Sequence, residues 1–185
     1  MEIIETGIRD LKLLKPRVFE DTRGYFFESY NKKILEDSGI NLTFVQDNQS
    51  RSSFGVIRGL HYQLEPKAQT KLVRVLEGSI WDVAVDLREG SPTYMEWRGA
   101  ELSAGNHLQL LVPKGFAHGF SVLTETAIVS YKCDELYSPD HEAGIRFDDQ
   151  DIGLDWKIDA SDRILSDRDL QMPNAKEAKK NFIYI

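Results

Sequence analysis

Apolar and polar residues alternate over short runs that stop at Gly, Pro, Asn or Asp, the pattern of half-buried strands joined by turns. These runs predict strands over residues 25–30, 44–50, 56–63, 70–76 and 79–87, the last two joined as a hairpin at Glu77-Gly78. Further strands are predicted over 97–102, 108–112, 119–123 and 127–133. Helix is scarce. The clearest candidate covers 32–38, with Asn31 as N-cap and Gly39 just past the end. Beyond about Tyr137 the chain turns polar and rich in Asp, so a covering segment is expected there, ending in a short helix over 167–171. Many short strands, few helical turns and no linker predict one all-β domain over 1–185, a barrel or sandwich.

Because side chains alternate across a strand, polar residues on an otherwise apolar face carry information. Lys71 shares a face with Val73 and Val75, Tyr131 with Val129 and Ala127, and Gln46 with Asn48. A lysine among valines inside a barrel is costly unless something pairs with it, and a bound ligand would serve. The other reading puts that face outside, with Leu72 and Leu76 pointing inward. His61 lies in Arg58-Gly59-Leu60-His61, where strict alternation would separate it from Arg58. A bulge at Gly59 would turn both toward one cavity.

Charge and composition narrow the function classes. The formal net charge of −7 argues against a broad nucleic-acid surface, while leaving room for a local basic pocket. Hydrophobic residues make up 41%, and no apolar run approaches the roughly 20 residues of a membrane span. The acidic start Met1-Glu2-Ile3-Ile4-Glu5 is unlike a secretory signal, so a cytoplasmic location is expected. The single cysteine, Cys133, reads as a half-buried strand residue.

His118, in Pro113-Lys114-Gly115-Phe116-Ala117-His118-Gly119-Phe120, sits in a Pro-x-Gly-x-x-His arrangement similar to the second motif of the cupin superfamily. The first cupin metal motif is missing its ligands: Gln63 follows His61, and His107 and His141 lie in turn-like or polar stretches. No metal site is expected. Nearly the whole chain resembles the dTDP-4-dehydrorhamnose 3,5-epimerase family. The resemblance is carried by Asp21-Thr22-Arg23-Gly24-Tyr25-Phe26-Phe27-Glu28, Val45-Gln46-Asp47-Asn48, Arg58-Gly59-Leu60-His61, Lys71-Leu72-Val73, Val83-Ala84-Val85-Asp86-Leu87-Arg88, the segment around His118, and Asp151-Ile152-Gly153-Leu154-Asp155-Trp156.

The resemblance implies a cupin-like jelly roll and a cofactor-independent epimerase of a nucleotide-linked 4-keto-6-deoxysugar. In such a sugar the hydrogens at C3 and C5 flank the carbonyl. Inversion then needs a base, a cation or donor for the enolate oxygen, and an acid across the ring. By resemblance His61 is the base, Asp169 orients it, Lys71 stabilises the enolate, and Tyr131 is the opposite-face proton donor. The resemblance further assigns substrate contacts to Arg23, Phe26, Glu28, Gln46, Asp47, Asn48, Arg58, Lys71, His118 and Glu142, with Tyr137 stacking on thymine. It also implies a homodimer whose exchanged N-terminal strands carry Phe26 into the partner's site.

Two positions depart from the family pattern. Arg168 stands where Lys is common before the last Asp, which keeps charge for a phosphate contact but changes reach. Lys157 follows Trp156 where Pro is common, so the alignment through Asp169 is open to a one-residue slip. The alternatives are a relative inverting only C3 or only C5 of another 4-keto-deoxysugar nucleotide, and a non-catalytic cupin that binds sugar nucleotides.

Overall fold

The computed structural model describes residues 1–185. In chain order the elements are β1 (Glu2–Glu5), β2 (Lys12–Lys15), β3 (Phe19–Asp21), β4 (Gly24–Phe26), α1 (Lys32–Asp37), β5 (Gln46–Ser53), β6 (Ile57–Gln63), β7 (Lys71–Glu77) and β8 (Ser79–Asp86). Then follow β9 (Trp97–Ser103), β10 (Gln109–Val112), β11 (Phe116–Val122), β12 (Thr126–Cys133), β13 (Glu142–Gly144) and α2 (Asp167–Leu170). Two antiparallel sheets face each other: a six-stranded sheet ordered β1-β2-β10-β7-β12-β5 and a five-stranded sheet ordered β13-β6-β11-β8-β9. The β3–β4 hairpin pairs with neither. The architecture is the cupin-type jelly roll expected from the sequence.

From β5 to β12 the chain changes sheet at every connection except β8–β9. The expected hairpin at Glu77-Gly78 is therefore a corner instead. β7 pairs with β10 and β12, while β8 pairs with β11 and β9. Gly78 turns that corner at φ +75°, where a Cβ would sit 2.0 Å from the Thr126 carbonyl oxygen. A tight two-residue turn signals reversal but not which sheet the next strand joins. The expected strand over 25–30 shortens to β4, paired with Phe19–Asp21. β1 and β2 had no expectation, being four residues each and weakly patterned.

Three apolar clusters explain the layering. Val73, Val75, Leu110, Ala127 and Val129 of one sheet meet Ile80, Ala84, Leu102, Phe116, Phe120 and Val122 of the other, forming the core between sheets. That settles the orientation of β7: Val73 and Val75 point inward with Lys71. Leu72 packs outward with Leu35 beneath α1, and Leu76 is exposed. Helix α1 is capped as expected, Asn31 Oδ1 accepting from Ile34 N at 3.3 Å. The outer face of the five-stranded sheet is covered by the C-terminal segment, whose Ile145, Phe147, Ile152, Trp156 and Phe182 pack on Leu60, Val83 and Val85. Trp156 is fully buried, and its indole N–H donates to the Phe147 carbonyl at 2.7 Å.

The expected bulge at Gly59 is present. His118 pairs with His61 and Phe120 with Arg58, so Gly119 alone opposes Gly59 and Leu60. Gly59 has φ +119°, and a Cβ there would lie 2.6 Å from Gly119 Cα and 2.7 Å from the His118 carbonyl oxygen. Only glycine fits this crossing.

Candidate active site

The gap between the sheets opens into two adjoining cavities. The larger, about 400 Å³, is lined by Arg58, His61, Lys71, His118, Tyr131, Ser166, Arg168 and Asp169, among others. The smaller, about 260 Å³, is lined by Gln46, Asn48, Gln63, Gln69, Tyr137 and Glu142. His61, Lys71 and Tyr131 belong to both, so the three groups sit where the cavities meet. They come from opposite walls: His61 from β6 of the five-stranded sheet, Lys71 and Tyr131 from the neighbouring strands β7 and β12 of the six-stranded sheet.

His61 Nε2 lies 2.5 Å from Asp169 Oδ1, and Asp169 is buried on the one-turn helix α2. Ser166 caps that helix. Its hydroxyl donates to Asp169 Oδ2 at 2.8 Å and accepts from Asp169 N at 3.1 Å. Burial pushes the Asp169 carboxyl up, but hydrogen bonds from His61 and Ser166, with the charges of His61 and Arg168, outweigh it and hold the group below its ordinary range. An ionised Asp169 keeps the shared proton on Nε2, so the neutral ring carries its lone pair on Nδ1. That is the arrangement of an oriented base.

Burial lowers the pKa of the Lys71 ammonium, an effect that Cys133, Asp82 and Glu142 partly oppose. Such a cation gains from any negative charge that develops beside it. Burial raises the Tyr131 phenol, reinforced by Cys133 and Glu142 against Arg58. Tyr131 therefore stays protonated at neutral pH and can give up that proton only to a strong base such as a carbanion.

The remaining expected residues divide into two sets. Arg58 is in the larger cavity, its Nε donating to Ser52 Oγ at 3.0 Å. His118 is buried there, with Nε2 2.7 Å from Asp82 Oδ1. Gln46 Nε2 donates to Asn48 Oδ1 at 3.1 Å, and Gln46 Oε1 accepts from Tyr137 N at 2.9 Å. Tyr137 donates to Glu142 Oε2 at 2.7 Å, and Glu142 pairs with Arg168. Burial raises the Glu142 carboxyl, but Tyr137 and Arg168 together bring it below its ordinary value. Asp47, by contrast, lies outside both cavities. Strand alternation that turns Gln46 and Asn48 inward turns Asp47 out, where it pairs with Lys132 at 2.9 Å.

Arg23, Phe26 and Glu28 also line neither cavity. Arg23 is held by Asp21 in the β3–β4 turn, Phe26 is 67% exposed, and Glu28 accepts from Asn31 Nδ2 at 3.1 Å. Within one chain the hairpin stands away from the site.

Among the residues missed by sequence reasoning, Ser166 and Asp82 hold Asp169 and His118. Ser166 was signalled by its place three residues before Asp169, a helix-capping spacing. Asp82 was signalled by parity alone, since it shares the inward face of β8 with Ile80 and Ala84. Asp82 is fully buried and its Oδ2 has no hydrogen-bond partner. No group of three or more His, Cys, Asp or Glu converges in metal-binding geometry.

Solved structures share this arrangement of sheets. The dTDP-4-dehydrorhamnose 3,5-epimerase of Bacillus anthracis, crystallised with TDP and PPi, superposes with a TM-score of 0.90 at 55% identity, covering 94% of this chain and 98% of that one. The dTDP-6-deoxy-D-glucose-3,5-epimerase of Legionella pneumophila, in complex with dTDP-4-keto-L-rhamnose, gives a TM-score of 0.91 at 45% identity, covering 95% and 93%. A jelly roll whose ionisable groups converge from facing walls is here a cupin-type sugar-nucleotide isomerase. The family model for dTDP-4-dehydrorhamnose 3,5-epimerase matches residues 5–177. The enzyme of that name from Methanothermobacter thermautotrophicus is 48% identical over 183 residues, 98% of this chain and 97% of the relative. The chain belongs to the dTDP-4-dehydrorhamnose 3,5-epimerase family.

Proposed function

We propose that the enzyme converts dTDP-4-keto-6-deoxy-D-glucose to dTDP-4-keto-L-rhamnose, inverting C5 and C3, in the making of dTDP-L-rhamnose. The observation that carries this reading is the placement of His61 and of Lys71 and Tyr131 on facing sheets at the junction of two cavities. His61 Nδ1 removes the proton next to the C4 carbonyl, and Asp169 steadies the resulting imidazolium. The carbonyl oxygen takes the electron pair as an enolate beside the Lys71 ammonium. Tyr131 returns a proton to the same carbon from the other wall, which inverts the centre. Solvent then returns a proton to Tyr131 and takes one from His61. Only protons move, so the reaction balances without a redox cofactor.

Arg58 and Arg168 supply guanidinium groups for a diphosphate, and Tyr137 a flat exposed face for thymine. His118, Gln46, Asn48 and Glu142 complete the wall around the nucleotide sugar. We assign Arg23, Phe26 and Glu28 to the site of a second copy in a homodimer. The β3–β4 hairpin supports this assignment: it has no sheet partner, exposes Phe19, Tyr25 and Phe26, and β5 offers an open edge. No helix is long and apolar enough to cross a membrane, and a cytoplasmic enzyme built as one domain fits the reading.

The test is to incubate chelator-treated protein with dTDP-4-keto-6-deoxyglucose in D₂O and follow C3 and C5 by NMR. Deuterium at both carbons, lost in His61→Ala, is expected. In Tyr131→Phe, exchange should persist while inversion is lost, because the near-side base still operates. Exchange at one carbon selects single-centre epimerisation. No exchange with any 4-keto sugar nucleotide refutes the assignment.

A further inference from the structure

We infer that Ser166 is a positioning residue for the base: its hydroxyl holds the Asp169 carboxylate in the one orientation that keeps the His61 ring turned into the cavity. The inference rests on the reading of His61 as the base. A four-residue helix has no stability of its own, so α2 depends on what grips its ends. Ser166 grips the first end twice, accepting from the backbone N–H of Asp169 and donating to that residue's Oδ2. One hydroxyl thus fixes the main chain and the side chain of the same aspartate.

The consequence is that both carboxylate oxygens of Asp169 are committed, Oδ1 to His61 Nε2 at 2.5 Å and Oδ2 to Ser166 at 2.8 Å. A carboxylate held at one oxygen turns easily about its terminal torsion, which is broad, and would carry the imidazole with it. Asp169 is 4% exposed, so water cannot readily replace a missing donor. The neighbouring Arg168 ties the same turn to Glu142 and through it to Tyr137. Base and nucleotide-side groups therefore share one support.

Removing the Ser166 donor leaves a carboxylate of higher proton affinity beside His61, which favours the protonated His61–Asp169 pair and disfavours the free base. The other charged and titratable groups around the two cavities are Arg168 on α2, Glu142 on β13, Arg58 and Tyr62 on β6, His118 on β11, Lys71 on β7, Tyr131 on β12, Tyr137 before β13, and Asp82 on β8 behind His118 and Lys71. None of these groups is chemically altered in a Ser166 variant. The acidic limb of kcat/KM should accordingly move to higher pH.

The experiment compares Ser166→Ala, Ser166→Thr and Ser166→Asp with wild type by NMR-followed epimerisation over about pH 5 to 9, alongside thermal melting. Ser166→Ala should lose about tenfold to a hundredfold in kcat, with KM within about twofold, and show the displaced acidic limb. Threonine keeps the hydroxyl and should restore both. Aspartate caps a helix as well as serine does but cannot donate to Asp169, so Ser166→Asp should fold and be impaired at least as much. Wild-type kcat with an unmoved limb in Ser166→Asp overturns the inference. So does a Ser166→Ala loss confined to KM and melting temperature. If Ser166→Ala does not fold, the threonine and aspartate variants decide on the same criteria. His61→Ala separates the two levels: exchange surviving in it removes the base itself, whereas a dead His61→Ala beside an unimpaired Ser166→Asp removes only the role of Ser166.

Discussion

Gly59→Ala tests how far the site depends on the bulge in β6. At φ +119° an alanine costs about 1–3 kcal/mol in backbone strain. The added Cβ would lie 2.6 Å from Gly119 Cα and 2.7 Å from the His118 carbonyl oxygen, against an ordinary carbon contact of about 3.5–4.0 Å. Both neighbours are backbone, so no rotamer change relieves the clash. β6 and β11 must separate by about 1 Å, against Trp156, whose ring would already stand 3.1 Å from a Cβ on Gly119. Overpacking of this kind adds about 1–3 kcal/mol. The sum, about 2–6 kcal/mol, corresponds to a melting temperature lower by about 4–24 °C in a chain of this size. Activity should fall further than the folded fraction does, because the bulge is what lets Arg58 and His61 face one cavity. Calorimetry and NMR-followed epimerisation on the same sample would check both. A melting temperature within about 2 °C of wild type, with normal kcat/KM, would refute the reasoning.

Three further outcomes are expected. Because burial lowers Lys71 and raises Tyr131, the basic limb of the rate profile should belong to Lys71 and fall below the ordinary lysine range. Lys71→Arg, which stays charged, should lower the rate but abolish that limb across the measured pH series. Lys71→Met should inactivate the enzyme yet raise its melting temperature by about 2–4 °C, since a lysine with a lowered folded pKa costs stability at neutral pH and the cost fades as pH rises through that value. An unchanged or lower melting temperature would show that the Lys71 environment does not penalise its charge. Finally, in the homodimer proposed above, mixing Arg23→Ala with His61→Ala after unfolding and refolding together should recover about a quarter of wild-type activity, because half of the dimers would be mixed and each would hold one intact site. No recovery would mean that the hairpin serves its own chain.

The boundary between what the sequence determined and what folding decided runs through particular residues. Alternation along single strands was enough to put Lys71 with Val73 and Val75, Tyr131 with Val129, and Gln46 with Asn48, because a period of two is a property of the local backbone. Gly59 announced the bulge, and Asn31 with Gly39 bounded α1, because caps and bulges are written within a few residues. The resemblance supplied the roles, including Asp169, 108 positions from His61. Alternation alone could not say which face of β7 is inside, since that depended on α1 covering Leu72 and on the second sheet covering Val73. Nor could it send β7 and β8 to different sheets across Gly78, pair Asp47 with Lys132, or lay Asp82 against His118. Those outcomes depend on long-range closure, in which each residue's surroundings come from chain segments that local pattern does not contain.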